Sequence, residues 1–179
     1  MGELVKQQPA HQAADDEQRQ YLTFLLGGET FALAILNIKE IIEYGNVTTV
    51  PMMPDFVRGV INLRGAVVPV IDLAMRFNRP PSPITHRTCI VLIEVEADGE
   101  QYNVGVTVDT VNEVLEIPAT EIEPPPAFGA KIRSDFIGGM GKIDGKFVII
   151  LDAGKVLSVE EMASISDSEG GAPVVEEIS

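Results

Sequence analysis

The sequence predicts a mainly β fold made of two small closed barrels, each with about five short strands and a short helix. Three observations lead there: a strand–turn–strand–helix unit, its recurrence further along the chain, and an upstream segment that repeats as well. Phe56 to Phe77 reads FVRGVINLRGAVVPVIDLAMRF. Val60, Ile61 and Leu63 form an apolar strand, Arg64-Gly65 turns the chain, and Val67 to Ile71 run back. A two-residue hairpin turn needs positive φ, which Gly65 supplies without steric cost. Asp72 then stands where a helix cap belongs, ahead of Leu73, Arg76 and Phe77 at helical spacing.

The same unit returns as Phe136 to Leu157, FIGGMGKIDGKFVIILDAGKVL, at a constant offset of 80 and without a gap. Phe56 matches Phe136, Gly59 matches Gly139, Gly65 matches Gly145 and Asp72 matches Asp152. Upstream, Phe31, Leu33, Ile35, Ile38, Glu40, Ile41 and Ile42 are echoed at an offset of 73. Their counterparts are Val104, Val106, Val108, Val111, Glu113, Val114 and Leu115. About seven extra residues therefore enter the second copy, around Pro124 to Ser134. Gly65, Gly145, Asp72 and Asp152 are assigned as structural turns and caps.

Taken in order, residues 1–18 lack periodicity and are expected to be a disordered acidic tail. Tyr21 to Leu26 make a first strand, ended by Gly27-Gly28, and Phe31 to Ile35 return as its hairpin partner. Leu36 to Tyr44 supports one helical turn near Asn37 followed by a strand; Pro51 and Pro54 then break the chain. Arg79-Pro-Pro-Ser-Pro83 is a stiff spacer between the halves. Thr88 to Val95, a turn at Asp98-Gly99 and Tyr102 to Val108 make the next hairpin. The folded domain is placed at 19–165, with one barrel at about 30–80 and another at about 85–157, a terminal strand and helix crossing over. Side by side, two barrels leave a groove between them. Ser158 begins a last short helix to 165, and 166–179 form a second disordered acidic tail.

Composition narrows the function classes. The chain has 179 residues and a formal net charge of −14, which argues against nucleic acid. No apolar run reaches the ~18 residues of a membrane span, and no secretory pattern opens the chain, so a cytoplasmic location is expected. Cys89, the only cysteine, lies in a strand-like run and reads as a buried small hydrophobe. Arg58, Arg64, Arg76, Arg79 and Arg87 concentrate positive charge against Asp72 alone. That run reads either as a solvated face or as a basic patch for an acidic protein partner.

Catalytic patterns are missing. His11 and His86 have no second ligand at zinc spacing, so no metal is expected. Neither a nucleophile elbow nor a phosphate-cradling motif occurs. Asp72 and Asp152 could form a carboxylate pair for acid–base work, but their shared place before helical spacing makes them caps. Asn62-Leu-Arg-Gly65 is the unusual stretch. Asp144-Gly145 shows that the turn tolerates a short residue, whereas Arg64 projects a long cation. It is either an ordinary exposed arginine or an anchor for a partner.

RGVINLRGAVVPVIDL closely resembles the signature of the CheW family, the adaptors of bacterial chemotaxis signalling. The resemblance runs over about residues 20–165 and includes FLLGGETFALAILNIKEII, GVTVDTVNEVL, PPPAFG and FIGGMGKIDGKFVIILD. It implies two five-stranded SH3-like β-barrels, in keeping with the duplication, and a non-enzymatic coupling protein without cofactors. The partners it implies are the regulatory domain of the histidine kinase CheA and the cytoplasmic tips of chemoreceptors. Direct membrane insertion is not implied, only recruitment to membrane-associated receptor arrays. By position, Ile38, Gly59, Arg64, Gly105 and Val114 match receptor-binding residues, while Glu40, Ile41 and Phe128 match kinase-binding ones. A hydrolase built on barrels would need convergent titratable groups, and a fused receiver domain would need room the chain lacks. An adaptor of a related receptor–kinase pathway, controlling pilus motility or another response, is the alternative.

Overall fold

A computed structural model describes residues 20–97, 99–125 and 136–157. The expected tails, the last short helix after Leu157 and Phe128 lie outside the described residues. The chain forms β1 (Gln20–Leu26), β2 (Glu29–Ala34), a 3-10 turn (Ile35–Asn37) and β3 (Ile38–Glu43). Next come β4 (Val57–Leu63), β5 (Ala66–Asp72), helix α1 (Leu73–Arg76), β6 (Cys89–Ala97), β7 (Glu100–Val108) and β8 (Thr110–Glu116). A second 3-10 turn (Ala119–Glu121), β9 (Ile122–Glu123), β10 (Ile137–Ile143), β11 (Lys146–Leu151) and helix α2 (Ala153–Val156) complete it.

The duplicated unit repeats down to single hydrogen bonds. Arg64 and Gly65 sit at φ 53° and 88°, Asp144 and Gly145 at 52° and 79°, so both hairpins close through the same pair of left-handed residues. The Asp72 N–H donates to Phe56 O at 2.6 Å, and the Asp152 N–H to Phe136 O at 2.8 Å. A register shift falls between Val57 and Gly59 in the first hairpin and between Ile137 and Gly139 in the second. Burial class is identical, position by position, over 61–70 and 141–150. Each helix is one turn long, and Asn78 at φ 62° with Pro80 beyond it stops the first.

How strands share sheets does not follow the halves of the sequence. One sheet runs β3-β6-β7-β5-β4, the other β8-β1-β2-β11-β10-β9. Each takes its leading hairpin from one repeat and the remaining strands from the other. Parallel pairings seal the exchange: β5 on β7 (Val70 opposite Gly105) and β2 on β11 (Phe31 opposite Ile149). The stretches 30–80 and 85–157 thus do not each build a sheet alone.

Closed barrels are also corrected to two sheets with open strand order. At the outer edge of β4 the irregular segment before it steps in, with Thr48 and Val60 exchanging backbone hydrogen bonds at 2.8 and 2.9 Å. That covers an edge without completing a ladder. Gly59 permits the approach: at φ 151° it lies where a Cβ would stand 2.1 Å from Thr48 O.

Alternation sorts the side chains. On β6, Ile90 and Leu92 join Ile61, Val68 and Val70 on one face, whereas Val91, Ile93 and Val95 point to the other. Ala32, Ile117, Val148 and Ile150 form the corresponding small cluster of the second sheet. The largest cluster belongs to both sheets, drawing Leu22, Phe24 and Phe31 from one and Ile71, Val91 and Val106 from the other. Phe24, Phe31, Phe77 and Phe136 run through it as a chain, with successive ring centroids 6.0, 5.6 and 5.9 Å apart. Each such ring stabilises by about 1.5–3 kcal/mol on burial. The twin-barrel expectation is therefore half met, since each sheet has a core of its own but the dominant core is shared. A cleft of about 540 Å³ stays open where Leu26, Gly27 and Glu29 face Ala74, Arg79 and Asp109.

Candidate functional site

The β4–β5 tip is the rigid, charged feature that the core leaves outside. Its turn is locked, because Asn62 Oδ1 accepts from the Gly65 N–H at 2.9 Å. From it the Arg64 guanidinium reaches β3, where Nη2 donates to both carboxylate oxygens of Glu40, at 3.0 and 3.1 Å. The side chains are 71% and 36% exposed, so the pair lies at the surface. β3 ends its sheet, and β4–β5 lies at the other end of the strand order, so this ion pair straps the two ends together. Ile41, next to Glu40, is 41% exposed, and Val67, just past the turn, is 70% exposed. Glu40 and Ile41 alternate on β3, so Ile41 is exposed on the other face of the strand, and the tip itself presents the ion pair with Val67 just past the turn, a preformed surface suited to a protein partner.

The other sequence-assigned residues divide into surface and scaffold. Val114 is 48% exposed on β8, in the opposite sheet. Ile38 is half-buried against the shared core. Gly59 and Gly105 are both buried. A Cβ on Gly105 would stand 2.6 Å from Ile90 Cγ2, so in this fold the absent side chain is a packing requirement. Sequence reasoning placed Arg64 and Glu40 on different partners and missed that they bind each other. The opposite charges at 40 and 64, set against Glu113 and Asp144 in the repeat, were the available signal.

The arginine run does not make a basic patch. Arg76 is buried, donating through Nε to Val156 O at 2.8 Å and lying 4.7 Å from the Phe136 ring centre. Arg58 Nη2 donates to the buried Asp72 carboxylate at 2.6 Å, and Arg79 pairs with Glu29 at 2.7 Å. Three of the five cations thus serve the fold, leaving Arg64 and Arg87 exposed.

Asp72 accepts from the Met75 N–H at 3.3 Å, from Arg58, and from the Ser82 N–H at 3.2 Å, which pins the Pro-rich spacer to the first repeat. Asp152 accepts from the Lys155 N–H at 3.2 Å. Both carboxylates are engaged as caps. Burial, with the Glu43 charge second, pushes the Cys89 thiol up from its ordinary value. Its Sγ donates to Arg87 O at 3.4 Å. This half-buried thiol, less enclosed than the sequence implied, is the reverse of an activated one. Among the described residues no group of three or more His, Cys, Asp or Glu side chains could hold a metal ion. Nor is any helix among them long and apolar enough to cross a membrane.

Comparison with known proteins bears on the family. Residues 20–161 match the family model of the CheW-like domain. The chemotaxis protein CheW of Klebsiella aerogenes is 34% identical over 155 residues, covering 87% of this chain and 91% of that protein. Protein FrzA of Myxococcus xanthus is 31% identical over 121 residues, 68% of this chain and 73% of that protein. Among solved structures, the scaffolding protein TtCheW from Thermoanaerobacter tengcongensis superposes with a TM-score of 0.68 at 34% identity, covering 75% of this chain and 84% of that one. The signature motifs, the duplicated hairpins and the match across most of the described residues agree, and the chain belongs to the CheW-like family.

Proposed function

We propose that this protein is a non-enzymatic scaffold of chemotaxis-type signalling, coupling chemoreceptors to the histidine kinase CheA. The observation that carries the reading is the strapped β4–β5 tip: an Arg64–Glu40 ion pair at the surface, with Val67 exposed just past the turn and Ile41 exposed on the other face of β3. It offers a preformed surface and no reactive centre, which is what an adaptor needs. In this reading Ile38, Arg64 and Val114 face the receptor tip, with Gly59 and Gly105 shaping the backbone behind them. Glu40, Ile41 and Phe128 face the regulatory domain of the kinase. Arg64 and Glu40 being bonded to each other, receptor and kinase contacts would meet at one ion pair. A partner that turns the guanidinium away from Glu40 would alter the surface offered to the other, a two-state element both partners can bias. Individually weak contacts would gain strength when arrayed at membrane-associated receptors, with the protein itself in the cytoplasm.

Co-sedimentation with receptor-bearing membranes and CheA tests this. The expected result is that the protein pellets only with receptor, recruits kinase and raises its autophosphorylation. Failure to recruit kinase in the presence of receptor overturns the reading. A second reading is a related receptor–kinase pathway governing pilus motility or another response. Exchange of the receptor and kinase in the same assay separates the two.

A further inference from the structure

The two repeats place the same backbone elements in the same order but treat one pair of positions oppositely. In the first, Glu40 on β3 and Arg64 on the β4–β5 tip close the gap between the ends of the strand order. Their counterparts at offsets of 73 and 80 are Glu113 on β8 and Asp144 on the β10–β11 tip. Two carboxylates repel and cannot form that strap. Where the first sheet has an ion pair, the second has a cleft of about 570 Å³, with Glu113 and Asp144 both in its lining.

Part of the cleft's lining is apolar. Leu115, Ile143, Ile149 and Phe147 line it. Phe147, the counterpart of Val67, is 52% exposed. The Glu113 backbone is anchored, since its N–H donates to Thr23 Oγ1 at 3.3 Å and its carbonyl accepts from the same hydroxyl at 2.8 Å. Glu29, also in the lining, is occupied by Arg79, and among the described residues Lys146 is the one cation in the lining. What fits beside Glu113 is displayed by the first repeat: a planar guanidinium on the matching carboxylate. We propose that the cleft between β8 and the β10–β11 tip docks an arginine flanked by apolar residues, supplied by a partner protein. The partner thereby completes in trans the strap that the other sheet makes for itself. This inference does not depend on which receptor or kinase the protein serves.

The test uses the full chain, 15N-labelled, titrated with the tripeptide acetyl-Leu-Arg-Leu-amide. Its citrulline analogue, nearly isosteric but uncharged, serves as control. Amide shifts are expected at Thr23, Glu113, Asp144 and Phe147 with the arginine peptide, and binding about tenfold weaker with citrulline. Asp144→Arg is expected to abolish the response, because its own guanidinium takes Glu113. That variant is expected to fold, as the matching turn already carries Arg64 at φ 53°. Glu113→Gln is expected to weaken binding without lowering the unfolding temperature. Equal binding of both peptides, shifts that survive Asp144→Arg, or no shifts at these residues would overturn the proposal. So would a concentration-dependent dimer lost in Asp144→Arg, since the occupant would then be a second copy of this chain.

Discussion

The first repeat encloses its cap carboxylate and straps its hairpin tip, whereas the second leaves its cap half-buried and its tip unstrapped. Backbone and burial match closely between them: the same left-handed turn pair, the same hydrogen bond back to the leading phenylalanine, the same burial from 61 to 70 as from 141 to 150. What differs is charge. Asp72 has Arg58 and Ser82, but position 138, matching Arg58, is glycine. Arg64 has Glu40, but Asp144 lines a cleft with Glu113. Duplication has preserved the requirements of the backbone, which are steric, while the surface electrostatics diverged. The two hairpins are therefore equivalent as scaffolds and unequal as surfaces.

The sharpest way to break this comparison is at the caps. Asp72→Ala should destabilise by about 3–5 kcal/mol, since it strands the Arg58 guanidinium in a largely enclosed site. Asp152→Ala should cost only ~1 kcal/mol, the value of a helix cap. Urea unfolding of the two variants measures the gap, and equal losses would mean that the buried node adds nothing. The bulge glycines come next. Gly59→Ala drives a Cβ into the Thr48 carbonyl at a left-handed φ and should cost about 3 kcal/mol. At Gly139 no positive φ is required and the nearest obstacle is Cγ2 of the half-buried Ile122, 2.6 Å away, instead of a backbone carbonyl, so Gly139→Ala should cost less, about 2 kcal/mol. Circular-dichroism melting orders this pair.

Smaller effects test the surfaces. Arg64→Ala should lower stability by no more than ~1 kcal/mol, as expected for an exposed ion pair. The same change should weaken partner association by about 1–3 kcal/mol, read in the co-sedimentation assay. Unaltered pull-down and kinase activation would remove Arg64 from the proposed interface. Smallest of all, Asp144→Arg should raise stability by a few tenths of a kcal/mol by building the missing strap. A lower melting temperature would show that the repeats are not interchangeable at the tip.

Much of this was legible in the residues. Arg64-Gly65 and Asp144-Gly145 announce their turns because positive φ is a local demand, and Asp72 and Asp152 announce caps for the same reason. The 3-10 turn before β3 was readable at Leu36-Asn37. Two things were not readable, the exchange of leading hairpins between repeats and the burial of Arg76, and the pairing of Arg64 with Glu40 was signalled only by their opposite charges. Alternation in β6 says that both faces are buried; it carries no information about which β-sheet neighbour covers each face. An arginine beside a phenylalanine in sequence gives no hint that another phenylalanine, 60 residues on, will lie over its guanidinium.

By itself, then, the amino-acid order determined the duplication, the hairpins, the caps and the family, because each rests on short-range sterics or on a pattern repeated along the chain. The tertiary structure alone decided which strands share a sheet, that the main core is common to both, and which charges meet at the surface. Those outcomes depend on long-range pairings such as β2 with β11 and β5 with β7, whose energy is a sum over many distant contacts and is written in no local stretch.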